Sequence, residues 1–249
     1  MPGRRPALSR VGARLPFHMT LATRPRPARK NADDSRSSGL EPPELATKKA
    51  PTQLRAVETF ERILSTCSEL LAEVGIERLS TNLICRRAGI TPPALYQYFP
   101  NKYAILHELG RRMMWRQNEF LTPWATVQTM QLPEAEFAAS VAQVFLGTLH
   151  VTEDTAGGVW VMRALRAVPS LQHVRMASHE AVTNLVLAAF QDSYPAIDVA
   201  QARLTIRLAI DALYAAQELL VDDPQQDPEA VARVMSEMVA AQFVKLRAS

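Results

Sequence analysis

Residues Ala88 to Lys102 read AGITPPALYQYFPNK, and how its two adjacent prolines are read decides the fold. Proline lacks an amide proton and clashes inside a helix. In the first helical turn the amides have no intrahelical acceptor, so proline is tolerated there. Thr91, just ahead of Pro92 and Pro93, is an N-cap residue type. The prolines therefore start a helix rather than break one. Leu95 and Phe99, four apart, form its buried side, and Pro100-Asn101 closes it after little more than a turn. Upstream, LSTNLICRRAGI (residues 79–90) gives another short helix, capped by Ser80 or Thr81, with Ile84 and Ala88 on its inner side and Gly89 permitting a tight turn. Two short helices joined by a turn of about three or four residues containing Gly make a helix-turn-helix, whose second helix offers its N-terminal end to the DNA major groove.

Working outward, Leu54, Val57, Phe60, Leu64, Cys67, Leu71 and Val74 recur at spacings of three and four, one face of an amphipathic helix. Thr52 is its expected N-cap, and Gly75 is placed to end it as a left-handed cap. Downstream, residues 103–121 read as one long helix ended by Pro123. Further helices are expected at 133–150, 159–168, 170–194, 198–221 and 228–247. TEDTAGG and DDPQQDP mark loops among them. The fold class is all-α. Residues 51–102 are the helix-turn-helix domain, and residues 103–249 are a larger helical regulatory and dimerisation domain. Residues 1–50, rich in Pro, Arg and Ser without helical period, are expected to be a disordered basic arm. Met19 is an alternative start for the chain. The Arg-rich beginning superficially resembles a transit peptide, but it lacks an apolar face.

The net charge of +3 conceals an asymmetry. Residues 1–50 hold 11 Lys/Arg against 4 Asp/Glu, residues 51–116 hold 9 against 6, and the rest 8 against 15. A basic front and an acidic back point to nucleic-acid contact from the front alone. Cys67 and Cys85 form no CxxC pattern, which suits a reducing, cytoplasmic setting without disulfides or zinc. Cys67 falls on the apolar helix face and reads as a small core residue. No apolar run approaches the roughly 18 residues of a membrane span. No HExxH, GxSxG or P-loop occurs, and the five histidines are scattered, so an enzyme is disfavoured and no cofactor or metal is expected.

The segment from ELLAEVG (69–75) through LSTNLICRRAGI to LYQYFPNKYAIL (95–106) resembles the TetR family of one-component transcriptional regulators, whose pattern there is close to LYxxFxxKxxLL. The resemblance covers roughly residues 54–110. It implies a DNA reader in which Thr91 caps the recognition helix and touches phosphate, and Pro92, Pro93 and Ala94 face bases. The latter three would read thymine methyls and local shape, having no side-chain hydrogen bonds to offer. Tyr96, Gln97 and Tyr98 lie near base edges or backbone, Lys102 meets a phosphate, and Ser80, Thr81 and Asn82 begin the supporting helix, with Asn82 in the slot that reads a base in some members. Arg86 and Arg87 are a further basic pair, read either as phosphate contacts or as a solvated face.

The resemblance also implies a homodimer on a double-stranded, near-palindromic operator, and a small-molecule effector. For dimerisation the last two helices offer Ile206, Ile210, Leu213, Tyr214, Met235, Met238 and Phe243. For an apolar effector pocket the large side chains available are Trp115, Phe120, Trp124, Phe145, Trp160, Met162 and Phe190. Arg163, Arg166, His150, His173 and His179 are its polar candidates, an arginine being suited to an anionic ligand. The expected function is a repressor released from its operator by a ligand. An activator, or a DNA-binding regulator that answers to another protein, has the same reader.

Overall fold

The computed structural model describes residues 43–48 and 53–248. Among these residues the secondary structure is helical throughout, in the order α1 (Leu54–Arg78), α2 (Thr81–Ala88), α3 (Pro92–Tyr96), α4 (Lys102–Leu121), α5 (Val127–Met130), α6 (Glu134–Asp154), α7 (Gly158–Ala167), α8 (Gln172–Ser193), α9 (Val199–Asp222) and α10 (Pro228–Arg247). Short 3-10 turns follow α4 (Thr122–Trp124) and precede α8 (Pro169–Leu171). The expected basic arm lies outside the described residues except for 43–48, and so does the expected cap Thr52.

The helix-forming logic of the front holds with local differences. On α1, Phe60, Leu64, Cys67 and Leu71 are buried as the periodicity requires, joined by Ile63 and Leu70, while Leu54 lies in solvent. Burial pushes the Cys67 thiol up to about 12, so it stays protonated and inert. Gly75 does take a positive φ of 72°, but with an extended ψ of 170°, so it kinks the chain instead of closing an αL cap. The turn after the kink is pinned by Lys102, whose Nζ donates to the carbonyls of Ile76 and Leu79 at 3.0 Å each. Gly89, at φ 66° and ψ 35°, is an αL cap that ends α2 as expected. α3 starts on Pro92 with Thr91 in the cap position. The Thr91 side chain makes no capping bond. Of the first three helical positions only Ala94 has an amide to satisfy, and the Thr91 carbonyl accepts it at 3.0 Å.

The rear helices fall close to the expected spans, and α10 matches its expected span to the residue. α6 runs on through Thr152-Glu153-Asp154, which shortens the expected TEDTAGG loop to Thr155–Gly157. α5 has no counterpart among the expected helices. α10 packs chiefly on α6 and α8 on α9, while α4 touches α1, α6, α7 and α8.

There is no break in packing at residue 102. One hydrophobic core joins Ile63, Leu70, Ile84, Leu95, Phe99 and Ile105 of the front to Val161, Leu165, Leu171 and Val174 from the rear. Gly157, at φ 67°, lets the loop before α7 approach α1 so closely that a Cβ there would meet the Ser68 carbonyl oxygen at 2.6 Å. Arg112 of α4 adds a bidentate pair to Glu61 of α1 and also binds Glu108. A second core, in α6, α8, α9 and α10, holds Phe137, Val186, Phe190, Ile206 and Phe243.

Candidate nucleic-acid interface and effector cavity

α2 and α3 supply a compact exposed surface. Ser80 has extended backbone angles and its Oγ accepts from the Leu83 amide at 3.2 Å, so Ser80 rather than Thr81 is the cap. That leaves the Thr81 hydroxyl for the Tyr96 hydroxyl, 3.1 Å away, a strut between the start of α2 and the end of α3. Leu95 and Phe99 anchor α3 from below, both fully buried. With that side fixed, Asn82, Thr91, Pro92, Pro93, Tyr96 and Gln97 are exposed, and Thr81 and Ala94 half-exposed.

Two expected DNA contacts take other positions. Tyr98 is only 8% exposed: its ring packs edge-on against Phe60 at 5.8 Å and belongs to the core. α3 ends at Tyr96, and the turn after it rolls Tyr98 inward beside Phe99. Its carbonyl accepts from the Lys48 amide at 2.9 Å, which with the bond from Asn101 Nδ2 to the Glu44 carbonyl lays residues 43–48 along the reader. Lys102, expected on a phosphate, spends two of its three donors on the carbonyls of Ile76 and Leu79, and so fixes the kink ahead of α2. Arg87 is engaged in a bidentate pair with Glu73 of α1, whereas Arg86 is exposed on the last turn of α2.

The rear half encloses a cavity of about 80 Å³ between α4, α6, α8, α9 and α10. Trp124 and Phe145 line it as expected. The other expected pocket residues do not. Trp115 is 55% exposed on the outer side of α4. Trp160 packs partly against the front core, with Arg163 stacked on it at 4.8 Å. Arg163 donates to the Val221 carbonyl at 3.1 Å, tying α7 to the end of α9. Phe190 is fully buried next to Phe243, edge to face. Phe120 is largely exposed and Met162 is in the front core. The polar candidates are also engaged elsewhere: Arg166 with Glu218, His150 with Asp154, and His173 stacked on His107. His179 is buried against Asp211, and burial holds its imidazole below its ordinary value, hence neutral.

Several residues expected at a dimer interface face inward instead. Ile206, Ile210, Leu213, Tyr214 and Phe243 all line the cavity, and Met235 packs half-buried on the Phe145–Leu149 cluster. Met238 alone of the seven is exposed. Helical periodicity shows that α9 and α10 have two apolar faces but does not say which is turned inward. The outward face carries Leu204, Leu208 and Leu219 on α9 and Val234 and Met238 on α10, each 45–58% exposed.

The polar wall of the cavity is what the sequence reading missed. Gln117 and Asn118 of α4, Thr148 of α6, and Tyr214 and Gln217 of α9 converge there. Tyr214 donates to Gln117 Oε1 at 2.9 Å, and Gln117 Nε2 donates to Thr152 Oγ1 at 2.7 Å. Ser178 Oγ donates to Asn118 Oδ1 at 2.9 Å. Burial pushes the Tyr214 phenol up to about 12, so it is a neutral donor. The available signal was a glutamine at a buried register position, Gln217 three residues after Tyr214 on an otherwise apolar stripe. Among the described residues, no group of three or more His, Cys, Asp or Glu is gathered as metal ligands would be, and no helix is long and apolar enough to cross a membrane.

Comparison with known proteins agrees with this arrangement. The family model described as "Bacterial regulatory proteins, tetR family" matches residues 63–109, from mid-α1 to α4. The tetracycline repressor protein class C of Escherichia coli is 40% identical over 63 residues, which is 25% of this chain and 29% of the relative. The class D protein of Escherichia coli is 34% identical over 65 residues, 26% of this chain and 30% of the relative. The alignments to these curated relatives thus span less than a third of their length. Structural likeness extends further. SmeT, the repressor of the Stenotrophomonas maltophilia multidrug efflux pump SmeDEF, superposes with a TM-score of 0.56 over 74% of this chain and 89% of that one, at 20% identity. A fatty acid degradation regulator, FadR of Bacillus halodurans, superposes at 0.54 over 76% and 96%, at 15% identity. At such identities the likeness speaks for the fold, and it covers the rear helices that the sequence matches leave out. Domain match and fold coincide on the same helix-turn-helix: residues 63–109 match the model of the tetR family of bacterial regulatory proteins, and about three quarters of the chain superposes on solved regulators of that fold.

Proposed function

We propose that this chain is a transcriptional repressor that binds a double-stranded DNA operator as a homodimer and is released by a small molecule held in the rear cavity. The observation that carries the reading is the pairing of two features in one chain. α2 and α3 expose Asn82, Thr91, Pro92, Pro93, Tyr96 and Gln97 on a fully packed base, and α4 runs from that base to the cavity wall at Gln117 and Asn118. The tetracycline repressors it resembles in the front, and SmeT, whose solved structures include a complex with triclosan, point the same way.

In this reading Gln97 hydrogen-bonds a base edge, and Pro92, Pro93 and Ala94 supply apolar contact to thymine methyls. Tyr96, held by Thr81, contacts the phosphate backbone, with Arg86 adding charge. The outward stripe Leu204, Leu208, Leu219, Val234 and Met238 meets its copy in a second subunit, which sets two recognition helices about 34 Å apart on successive major grooves. An effector that fits one conformation of the cavity better than another shifts that spacing through α4 by its differential affinity.

The test is an anisotropy titration of the purified protein on DNA from the gene's own upstream region beside a scrambled duplex, at two salt concentrations. Selective binding is expected, with Tyr96→Ala weakening it about tenfold, the loss of roughly one charge-assisted contact. Equal binding to both duplexes, lost steeply with salt, would reduce the interaction to charge alone and overturn the reading.

A further inference from the structure

The cavity's chemistry names the class of molecule it takes, an inference that rests on the proposed effector role of that cavity. Its walls are mostly Leu, Val, Ile, Phe and Trp, and no Asp, Glu, Lys, Arg or His lines it among the described residues. An ionised ligand placed there would lose its hydration with no opposite charge to meet. Arg163, the expected anchor for an anion, is outside, bound to α9.

The cavity is not wholly apolar, however. Gln217 is 96% buried, and its amide is oriented without ambiguity: Nε2 donates to the Phe145 carbonyl, which can only accept, at 3.3 Å, and to Thr148 Oγ1 at 2.7 Å. The Thr148 hydroxyl is itself committed to the carbonyls of Val144 and Phe145, so the group is rigid. This leaves Gln217 Oε1 as a fixed acceptor in the cavity wall with no protein partner among the described residues. Every other polar atom of the Gln117–Tyr214–Thr152 chain is paired within the protein. The atom is open to the cavity rather than sealed, and a ligand that brings a donor completes its hydrogen bonding.

We infer that the effector is an uncharged, largely apolar molecule carrying one hydrogen-bond donor, a hydroxyl or N–H, which it gives to Gln217 Oε1. The donor fixes which end of the molecule lies against α9, and the apolar remainder lies against Trp124, Val141, Val186 and Phe243. Ligand selection then follows the asymmetry of sites built to hydrogen-bond a hydroxyl: they reject an analogue that lacks it far more strongly than an apolar pocket rejects an added methylene.

The experiment is isothermal titration of the full chain with four probes of one shape: 4-propylphenol, 4-propylanisole, propylbenzene and 4-propylbenzoate. The phenol is expected to bind about tenfold or more tightly than the anisole and propylbenzene, with the benzoate weakest. Gln217→Met is expected to abolish the phenol's advantage while leaving anisole binding unchanged, and the retained anisole binding shows that the cavity has survived the substitution. Because the wild-type series stands without the variant, a poorly folding variant does not remove the test. Equal affinities for phenol and anisole, or tightest binding of the benzoate, would overturn the inference and leave the effector cavity in place. If no probe binds at all, both the inference and the effector role fall. Phenol binding that leaves operator affinity untouched supports the ligand class and overturns only the release mechanism.

Discussion

The front and rear cores of this molecule are packed to different ends. Around α3 the inward side chains are sealed: Ile63, Leu70, Ile84, Leu95, Phe99 and Ile105 are all inaccessible to solvent, and the nearby side-chain hydrogen bonds of Ser80, Asn101 and Lys102 go to backbone groups. Around the cavity the residues are also largely buried, yet they leave a space, and their hydrogen bonds run side chain to side chain through Gln117, Tyr214, Thr148 and Gln217. A base-reading surface needs a fixed frame, because a displacement of an ångström costs its contacts. A ligand site in a switch needs more than one acceptable packing. The same helical architecture supplies both by filling one core and leaving the other incomplete.

The largest expected effect tests this contrast directly. Leu95→Ala removes a fully buried side chain from the sealed core and should cost about 2–5 kcal/mol, whereas Leu213→Ala, half-buried on the cavity wall, should cost about 1 kcal/mol or less, since it enlarges a space already present. Urea unfolding of both variants measures this. Equal losses would mean that the cavity wall is as tightly determined as the reader.

The seam between the cores gives a smaller effect. Gly157→Ala strains a residue at φ 67° and drives a Cβ to 2.6 Å from the Ser68 carbonyl oxygen, a cost of about 1–3 kcal/mol. If the seam transmits the effector signal, operator affinity should change along with stability. A stability loss with unchanged operator affinity would restrict the loop to a structural role.

The smallest effect is electrostatic. Burial alone would raise the Glu108 carboxyl, but hydrogen bonds from Arg111 and Arg112 outweigh it and hold the group below its ordinary value of 4.5. A carboxyl depressed in the fold contributes stability that is complete above the unfolded value and is lost as pH falls through the folded one. Stability should therefore decline below about pH 4.5, and Glu108→Gln should flatten that part of the profile in thermal unfolding, with little pH dependence added near neutrality. An unchanged acid limb would mean that Arg112 holds α4 to α1 through Glu61 alone.

How much of this was legible beforehand also divides between front and rear. The order of the long helices, the proline start of α3 and the turn at Gly89 follow from local rules in which residue type and backbone geometry are tied within a few positions, whereas those rules leave the cap of α2 open between Ser80 and Thr81 and give no sign of α5. The interior positions Leu95 and Phe99 follow from spacing on one helix. Tyr98 was misplaced because the helix ends two residues earlier than its sequence allows, and a turn rather than a helical register sets its direction. Lys102 was misread because its partners, Ile76 and Leu79, are backbone carbonyls over twenty residues away, exposed only by the kink at Gly75. On α9 the inner stripe (Ile206, Ile210, Leu213) and the outer stripe (Leu204, Leu208, Leu219) are both wholly aliphatic. Which one faces the cavity depends on α6, α8 and α10 together, and no window on α9 contains that information.

The joint core built by Leu95, Phe99 and Ile105 with Val161, Leu165 and Leu171 has a consequence for exchange between relatives. A chimaera cut at residue 102, where the sequence match to a DNA-reading module would suggest joining, separates side chains that depend on one another and exposes apolar surface on both pieces. The transferable unit is discontinuous: the first four helices together with α7 and the turn that follows it. Any recombination that respects this boundary must carry two segments of the gene at once, so the reader and α7 are expected to change in concert even though some fifty residues of chain lie between them.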